Sequence, residues 1–370
     1  MNYFIIAGEA SGDLHGSNLI KAIKAKDSQA VFNFWGGDLM KKEADGCLVH
    51  YKDVTIMGFV EVLLNIGSIL KNIRTCKQQI LACKPDVVVL IDYPGFNLRI
   101  AKFCKQHGIK VVYYIAPKIW AWKESRGKKL EQFVDELLLI FPFEFSYFKK
   151  WKVKSTYVGN PLKDAIHQLT PNANFYSNNK LNHTKSIIAL LPGSRKQEVS
   201  KIMPILKQLP AHFPQYQFII CGAPSLDATF YQPYLNEDIQ IVFNQTYDVL
   251  QHATGAVVCS GTATLETALF NVPQVCGYVA HPISYRIAKL LVKNIKYISL
   301  VNLCLDKSAI TELIQNDYTL ENVVRELHAV LPSGSRNLEL MKDYAQLNEA
   351  LGKAGASMMA AERVIECAKT

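Results

Sequence analysis

Two short stretches in the second half of the chain carry residue types that can bind a diphosphate. In IIALLPGSRKQEV (187–199), an apolar run leads into Gly193, Ser194 and Arg195 and then into a helical pattern. Glycine allows close backbone approach, serine can cap a helix, and arginine supplies a forked cation for phosphate oxygens. An ordinary capped turn with a surface arginine would explain this stretch alone equally well.

The second stretch is AVVCSGTATLETAL (256–269), in which Ser260, Gly261 and Thr262 separate an apolar strand from a helix. The N-terminus of that helix offers N–H groups and the positive end of the helix dipole. Glu266 lies just over one turn inside, where a carboxylate suits the two hydroxyls of a ribose. It could instead be a solvent-facing first-turn residue. Taken together, the two stretches predict a nucleotide site.

The opening loop AGEASGDLHG (7–16) also passes from an apolar run into glycines and a helix, but its two carboxylates would repel a phosphate. We therefore expect it to face a sugar, with five candidate contacts: Gly8, Glu9, Ser11, Gly12 and Asp13. Asp13 is also expected to cap a helix that starts at Leu14, and Glu9 is a second candidate for a catalytic base. His15 is expected at the surface.

Asp92 ends the apolar run DVVVLID (86–92). In parallel α/β sheets, side chains at the carboxyl ends of strands point toward the ligand. Asp92 is therefore the first candidate for a general base, and capping of the turn before Pro94-Gly95 is the alternative.

Apolar runs alternate with helical patterns on both sides of a polar, Asn-rich stretch at 165–185. This alternation predicts two doubly wound, Rossmann-like α/β domains with parallel sheets, facing each other across a ligand cleft. The predicted boundaries are 1–165 for an acceptor- and membrane-facing domain and 186–340 for a nucleotide-binding domain. Helices in 341–370 are expected to cross back to the first domain.

Composition and charge limit the classes of function. The chain has 370 residues, a hydrophobic fraction of 49% and no apolar run long enough to span a bilayer. Residues 1–165 hold 24 basic and 16 acidic residues, so most of the net charge of +9 lies there and suggests an anionic partner. No dinucleotide fingerprint, P-loop, Asp-x-Asp pair or metal-ligand cluster occurs in the sequence. We therefore expect no metal and no cofactor, and phosphate groups held by Arg195 and helix N-termini alone.

The stretch VTIMGFVEVLLNIGSIL (54–70) is too apolar to be covered by one helical face. It predicts either an exposed patch for a membrane or acyl chains, flanked by Lys71 and Arg74, or a wholly buried helix. The candidate membrane or acyl contacts are Met57, Phe59, Val60, Leu63 and Leu64.

Several motifs, in order along nearly the whole chain, resemble the lipid-A-disaccharide synthase family. They are AGEASGD (7–13), MGFVEVL (57–63), IDYPGFN (91–97), WAW (120–122), FPFE (141–144), LLPGSR (190–195), SGTATLE (260–266) and SLVNL (299–303). The resemblance implies the GT-B architecture and an inverting, metal-independent glycosyltransferase. The family moves 2,3-diacylglucosamine from its UDP derivative to 2,3-diacylglucosamine 1-phosphate, forming a β-1,6 disaccharide and UDP.

The resemblance also implies roles for single residues and for partners. It makes Asp92 the favoured base, and Asn97 and Asn160 contacts to the acceptor sugar. Tyr278 and Asn302, near the predicted nucleotide strands in the sequence, are further candidates for base, ribose or phosphate contacts. Three departures occur: Asn160 stands where the family commonly has His, APK (116–118) replaces Ser-Pro-Ser, and SLVNL replaces SLPNL. The expected partners are the two acylated sugars and the inner face of the inner membrane, reached from the cytoplasm, with no nucleic acid. A homodimer through the C-terminal helices is also expected.

Other functions remain open from the residues alone. A dinucleotide-dependent oxidoreductase is disfavoured because no GxGxxG follows a strand. A membrane-associated nucleotide-sugar binder would keep LLPGSR and SGTATLE but would not need Asp92. A UDP-sugar epimerase, or a transferase to another lipid acceptor, would share the two-domain arrangement, although an epimerase would lack the apolar patch.

Overall fold

The computed structural model describes residues 1–54, 66–120, 124–280 and 296–370. Its strands are β1 (Asn2–Ala7), β2 (Val31–Gly36), β3 (Cys47–His50), β4 (Val87–Ile91), β5 (Lys110–Tyr114), β6 (Glu136–Leu139), β7 (Ser155–Tyr157), β8 (Ser186–Leu191), β9 (Tyr216–Gly222), β10 (Ile239–Phe243), β11 (Ala253–Cys259), β12 (Gln274–Tyr278) and β13 (Thr311–Ile314).

The helices of the described residues are α1 (Ala10–Lys26), α2 (Asp38–Glu43), α3 (Tyr51–Val54), α4 (Ile66–Cys83), α5 (Pro94–Gln106), α6 (Gly127–Phe133), α7 (Pro142–Phe148), α8 (Pro161–His167), α9 (Phe175–Asn178), α10 (Lys196–Leu206), α11 (Ala228–Tyr231), α12 (Thr246–His252), α13 (Thr262–Leu269), α14 (Leu300–Leu305), α15 (Leu320–Val330), α16 (Asn337–Ala350) and α17 (Ala356–Lys369). Short 3-10 turns cover Glu124–Arg126, Leu209–His212, Gln232–Tyr234 and Gln315–Asp317.

The chain divides into two compact units, Met1–His167 with Leu351–Thr370, and Gln168–Ala350. The first contains a seven-stranded sheet in the order β3-β2-β1-β4-β5-β6-β7, and the second a six-stranded sheet in the order β10-β9-β8-β11-β12-β13. Every paired strand is parallel. The central strands are buried along their length, as in β4, because helices cover both faces of a parallel sheet.

The C-terminal segment returns to the first unit at Leu351, so α16 stays with the second unit and only α17 joins the first. Asp164 accepts hydrogen bonds from the backbone N–H groups of Gly355, Ala356 and Ser357 and so caps α17 (2.6–3.1 Å). The Arg363 guanidinium on α17 pairs with the buried Glu136 carboxylate at 2.6 Å. These contacts hold α17 on the first unit of its own chain.

Candidate functional site

Each sheet has one topological switch point, where neighbouring strands send their connections to opposite sides. In the first unit it lies between β1 and β4, and in the second between β8 and β11. Ligands of doubly wound folds bind beyond the carboxyl ends of such strands. Glu9 follows β1, Asp92 follows β4, Arg195 follows β8, and Ser260 follows β11. The sequence motifs therefore lie at both switch points.

The turn after β4 holds Asp92 in an unusual backbone conformation. Asp92 and Tyr93 have φ of 42° and 46°, a left-handed pair of residues without glycine. Each such residue costs about 1–3 kcal/mol, and strain of this kind clusters at functional sites. The Tyr113 hydroxyl and the Asn97 amide stabilise the turn by donating to the Asp92 carbonyl oxygen at 2.6 and 2.7 Å. Asn97 is wholly buried and also donates to the Ile91 carbonyl, so its amide group holds the turn.

Burial and nearby cations have opposite effects on the pKa of Asp92. Burial raises the pKa of the Asp92 carboxyl, and the nearby Lys118 ammonium, the Tyr93 N–H and the Arg126 guanidinium offset part of that rise. A carboxylate with a raised pKa has a higher affinity for protons and is a stronger general base. The position therefore suits the proton acceptor that the sequence predicts.

Glu9 occupies the N-cap position of α1, half-buried, and its charge raises the pKa of Tyr93, together with the larger effect of burial. Glu9 therefore acts electrostatically on Tyr93, the residue that follows Asp92. A Cβ at Gly8 would lie 2.5 Å from the Tyr93 ring, and one at Gly12 3.2 Å from Ala7 Cβ. The protein itself fills the space that these glycines leave. Ser11 is exposed in the first turn of α1.

Two expectations about the opening loop are wrong. The helix starts at Ala10, so Asp13 lies inside it and caps another helix, α2. Its carboxylate accepts hydrogen bonds from Gly37 N (2.6 Å), Leu39 N (3.0 Å) and Met40 N (3.1 Å). His15 is not a surface residue, because its ring packs edge-on against Tyr114 and burial lowers its pKa to about 4.

The loops after β6 and β7 use their polar side chains internally. Asn160, buried, donates to the Ile140 carbonyl at 3.1 Å and accepts from Leu162 N at 3.0 Å. Its side chain therefore links two carboxyl-end loops. Glu144 is also buried and accepts from Trp120 Nε1 at 3.2 Å, as well as from two backbone N–H groups that precede α7. Burial raises the pKa of Glu144 to about 7.

In the second unit, the backbone of the loop after β8 is hydrogen-bonded to a carboxylate of the protein, that of Glu198. Gly193 has φ of 112°, and Glu198 Oε2 accepts from Ser194 N and Arg195 N at 3.1 and 3.2 Å. Arg195, 77% exposed, lies 3.6 Å from the other Glu198 oxygen. The N–H groups predicted to bind a diphosphate therefore donate to a carboxylate of the protein itself. The bond from the Arg195 N–H to Glu198, three residues on, is the half of a capping box that the N3 carboxylate supplies.

The loop after β11 is fixed by a hydrogen bond at Ser260 and is open to solvent at Gly261. The Ser260 hydroxyl donates to the Ile298 carbonyl at 3.0 Å. Apart from the two chain neighbours of Gly261, no atom of the described residues lies within 4 Å of a Cβ built on it, and Thr262 is exposed at the start of α13. The first N–H groups of a helix have no intrahelical acceptor, so an anion can approach them here.

Glu266 is not solvent-facing. Burial raises its pKa, and the Tyr247 hydroxyl donates to its Oε1 at 2.8 Å. No sequence signal pointed to Tyr247, which is on a different helix. Tyr278, half-buried at the end of β12, lines a cavity of about 790 Å³ together with Arg195, Lys196 and Lys201. This cavity is large enough for a nucleotide, and its lining also includes the Glu198 carboxylate.

Asn302 is wholly buried, and its amide contacts other parts of the protein. It donates to the Ile310 carbonyl and to Glu312 Oε1, both at 2.9 Å, and accepts from Ile310 N. Glu312 also accepts from Ile298 N and Ser299 N at 2.9 Å. Since Ile298 receives the Ser260 hydroxyl, Glu312 positions the Ser260 loop, a role that sequence reasoning missed.

The predicted membrane or acyl contacts fall on residues that the structure does not describe. Met57, Phe59, Val60, Leu63 and Leu64 lie outside the described residues. Among the helices that the structure describes, none is long and apolar enough to cross a membrane. Within the same residues, no group of His, Cys, Asp and Glu could hold a metal ion.

A profile of the family described as lipid-A-disaccharide synthetase matches residues 3–365. The chain belongs to this family. Relatives named lipid-A-disaccharide synthase include one from Geobacter metallireducens, 35% identical over 369 residues, covering 98% of this chain and 96% of the relative. One from Coxiella burnetii is 33% identical over 364 residues, covering 97% and 96%.

Solved structures share the fold at lower identity. Staphylococcus aureus MnaA, solved with UDP, has a TM-score of 0.70 at 12% identity, covering 98% of this chain and 94% of that one. The UDP-GlcNAc 2-epimerase of Neisseria meningitidis, solved with UDP-GlcNAc, has a TM-score of 0.67 at 11% identity, covering 99% and 100%. Together with the two parallel-sheet domains, these likenesses confirm the predicted GT-B fold of this lipid-A-disaccharide synthetase family member.

Proposed function

We propose that this protein is an inverting glycosyltransferase of lipid A assembly. It would transfer 2,3-diacylglucosamine from UDP-2,3-diacylglucosamine to 2,3-diacylglucosamine 1-phosphate, giving the β-1,6 disaccharide and UDP. The observation that carries the proposal is the family match over residues 3–365. The geometry at the two switch points supports it, because one offers a base and the other offers cations and helix N–H groups.

Asp92 is the proposed base. Its carboxylate takes the proton of the acceptor's 6-hydroxyl as that oxygen bonds to the anomeric carbon of the donor sugar. The bond from that carbon to the diphosphate breaks on the opposite face, and UDP leaves with the electron pair. Burial, which raises the pKa of Asp92, favours this proton transfer. Glu9, whose charge acts on Tyr93, is the second candidate.

The second unit is the proposed UDP site. Arg195 and the N-terminus of α13 would stabilise the negative charge that the leaving diphosphate acquires. Glu198 must release the Ser194 and Arg195 N–H groups for a phosphate to take its place. Glu266, oriented by Tyr247, is the proposed ribose acceptor, and Tyr278 lines the same cavity as Arg195.

Replacing Asp92 by Asn tests the role of the base. The variant keeps the shape of the side chain but cannot accept the proton, so turnover should fall about 10²- to 10⁴-fold. Binding of UDP, measured by calorimetry, should be unchanged because UDP is assigned to the other unit. Turnover near that of the wild type would reject Asp92 as the base.

We also propose peripheral binding to the inner face of the inner membrane. The start of α4 supports this, since Ile66 and Leu70 are 49% and 60% exposed and are followed by the exposed cations Lys71 and Arg74. Apolar side chains beside cations suit an anionic lipid surface.

Flotation with anionic vesicles tests the membrane proposal. Leu70→Ser should reduce the bound fraction without lowering the thermal midpoint, because Leu70 is already exposed. Leu81→Ser is a matched control, since Leu81 is 45% exposed near the other end of α4. Equal binding of both variants and the wild type would contradict the proposal. Dimerisation through the C-terminal helices stays a prediction, tested by the mass of the protein in solution.

A further inference from the structure

Lys118 lies on a loop that the protein holds firmly. The loop follows β5, and its residues Ala116 and Ile119 are 3% and 1% exposed, while Lys118 between them is exposed. The Tyr147 hydroxyl donates to the Ile119 carbonyl at 3.3 Å, and Trp120 donates to the buried Glu144. The ammonium group is therefore presented from a fixed backbone.

This loop starts beside the proposed base. Ile91 and Tyr114 are paired in the sheet, and Asp92 N donates to the Tyr114 carbonyl at 3.2 Å. Among the residues that the structure describes, no carboxylate lies within ion-pair distance of Lys118. Arg126, half-buried in the 3-10 turn before α6, also interacts electrostatically with Asp92. Lys118 and Arg126 both belong to the connection from β5 to α6, which leaves the carboxyl edge of the sheet beside β4 and Asp92.

We propose that Lys118 and Arg126 form a phosphate-monoester subsite beside Asp92 that binds the anomeric phosphate of the acceptor sugar. This inference rests on the proposed function. A phosphate monoester carries about −1.5 to −2 charges near neutral pH and would repel the Asp92 carboxylate across the width of one sugar ring. A flexible ammonium and a forked guanidinium supply the opposing charge and hydrogen-bond donors that such a group needs.

Lys118 could instead act only on the proton affinity of Asp92, and that role predicts a different result. If Lys118 only adjusts the proton affinity of Asp92, its loss affects every acceptor alike and shifts the acidic limb of the pH profile. If it binds the phosphate, its loss affects only acceptors that carry one. Comparing a phosphorylated acceptor with a neutral one separates the two roles.

The experiment measures disaccharide formation in mixed micelles with saturating UDP-diacylglucosamine and two acceptors, diacylglucosamine 1-phosphate and its 1-O-methyl analogue. Lys118→Ser should lower the preference for the phosphorylated acceptor, as the ratio of kcat/KM, about tenfold, the usual effect of a hydrogen bond to a charged group. Lys118→Arg should keep most of the preference. Arg126→Lys should lose part of it, because the fork is lost while the charge remains. Lys21→Ser, on exposed α1 surface, is the control.

An unchanged ratio in Lys118→Ser, or an equal loss with both acceptors and a shifted pH profile, would overturn the inference. Either result leaves the proposed function standing as long as the wild type makes disaccharide. No disaccharide from the wild type with either acceptor would instead reject the proposed function itself.

Discussion

Glu144 should make the stability of the first unit depend on pH. Its carboxyl group is 1% exposed, and burial raises its pKa from 4.5 to about 7. At about 1.4 kcal/mol per tenfold change in proton affinity, the neutral form is favoured in the folded state by about 3 kcal/mol. Below pH 4.5 both states hold the proton and the stabilisation is full. Between pH 4.5 and 7 only the folded protein holds it, so the stabilisation falls as the pH rises and is gone just above pH 7.

Glu144→Gln removes that titration and keeps the size of the side chain. The wild type should lose about 2.5 kcal/mol relative to the variant between pH 5 and pH 8.5. Urea unfolding followed by tryptophan fluorescence measures this, because all four tryptophans (35, 120, 122 and 151) fall within residues 1–167. A difference between wild type and variant that is the same at both pH values would refute the conclusion that burial keeps this carboxyl neutral.

Substitutions at Glu198, Tyr247 and Asp13 test hydrogen bonds that the structure shows. Glu198→Gln should tighten UDP binding about three- to tenfold by calorimetry, because a negative charge leaves the N–H groups of the phosphate loop; weaker binding would mean that Glu198 shapes the loop instead. Tyr247→Phe should weaken UDP binding several-fold, since Glu266 loses its hydroxyl donor, and unchanged affinity would remove Glu266 from the ribose site. Asp13→Ala should lower the free energy of unfolding by about 2–4 kcal/mol in the same fluorescence assay, because three backbone N–H groups lose their acceptor; a loss below about 0.5 kcal/mol would contradict its capping role.

The central strands were predictable because they are buried on both faces and read as apolar runs. DVVVLID (86–92) contains β4, and VPQVCGYV (272–279) contains β12. β3, β7 and β13 are three or four residues long and end their sheets, and no long apolar run marks them in the sequence. Edge strands are partly exposed, so their sequences lack the apolar run that marks a central strand.

The positions of candidate site residues were predictable where a chemical motif follows an apolar strand, as for Asp92 directly after β4 and Arg195 in the loop after β8. It was not predictable where a contact joins distant segments. Asp13 looked like the cap of its own helix, yet it caps α2 more than twenty residues further along the chain. Nothing within a few residues of Asp13 specifies that contact.

Amide side chains show the same limit. Asn97, Asn160 and Asn302 were predicted to contact a ligand, and all three are buried with amides bonded to backbone groups. An amide can serve a ligand or a loop equally well, and the sequence does not distinguish these uses. The same holds for Glu312 and Tyr247, whose positioning contacts only the structure reveals.

The most direct test is to identify the product of the purified protein. Wild-type protein incubated with UDP-diacylglucosamine and diacylglucosamine 1-phosphate should release UDP in step with a disaccharide phosphate, seen by mass spectrometry, whose new linkage is β-1,6 by NMR. Neither product should form without acceptor. UDP released with no disaccharide, or a sugar nucleotide epimerised without transfer, would contradict the account.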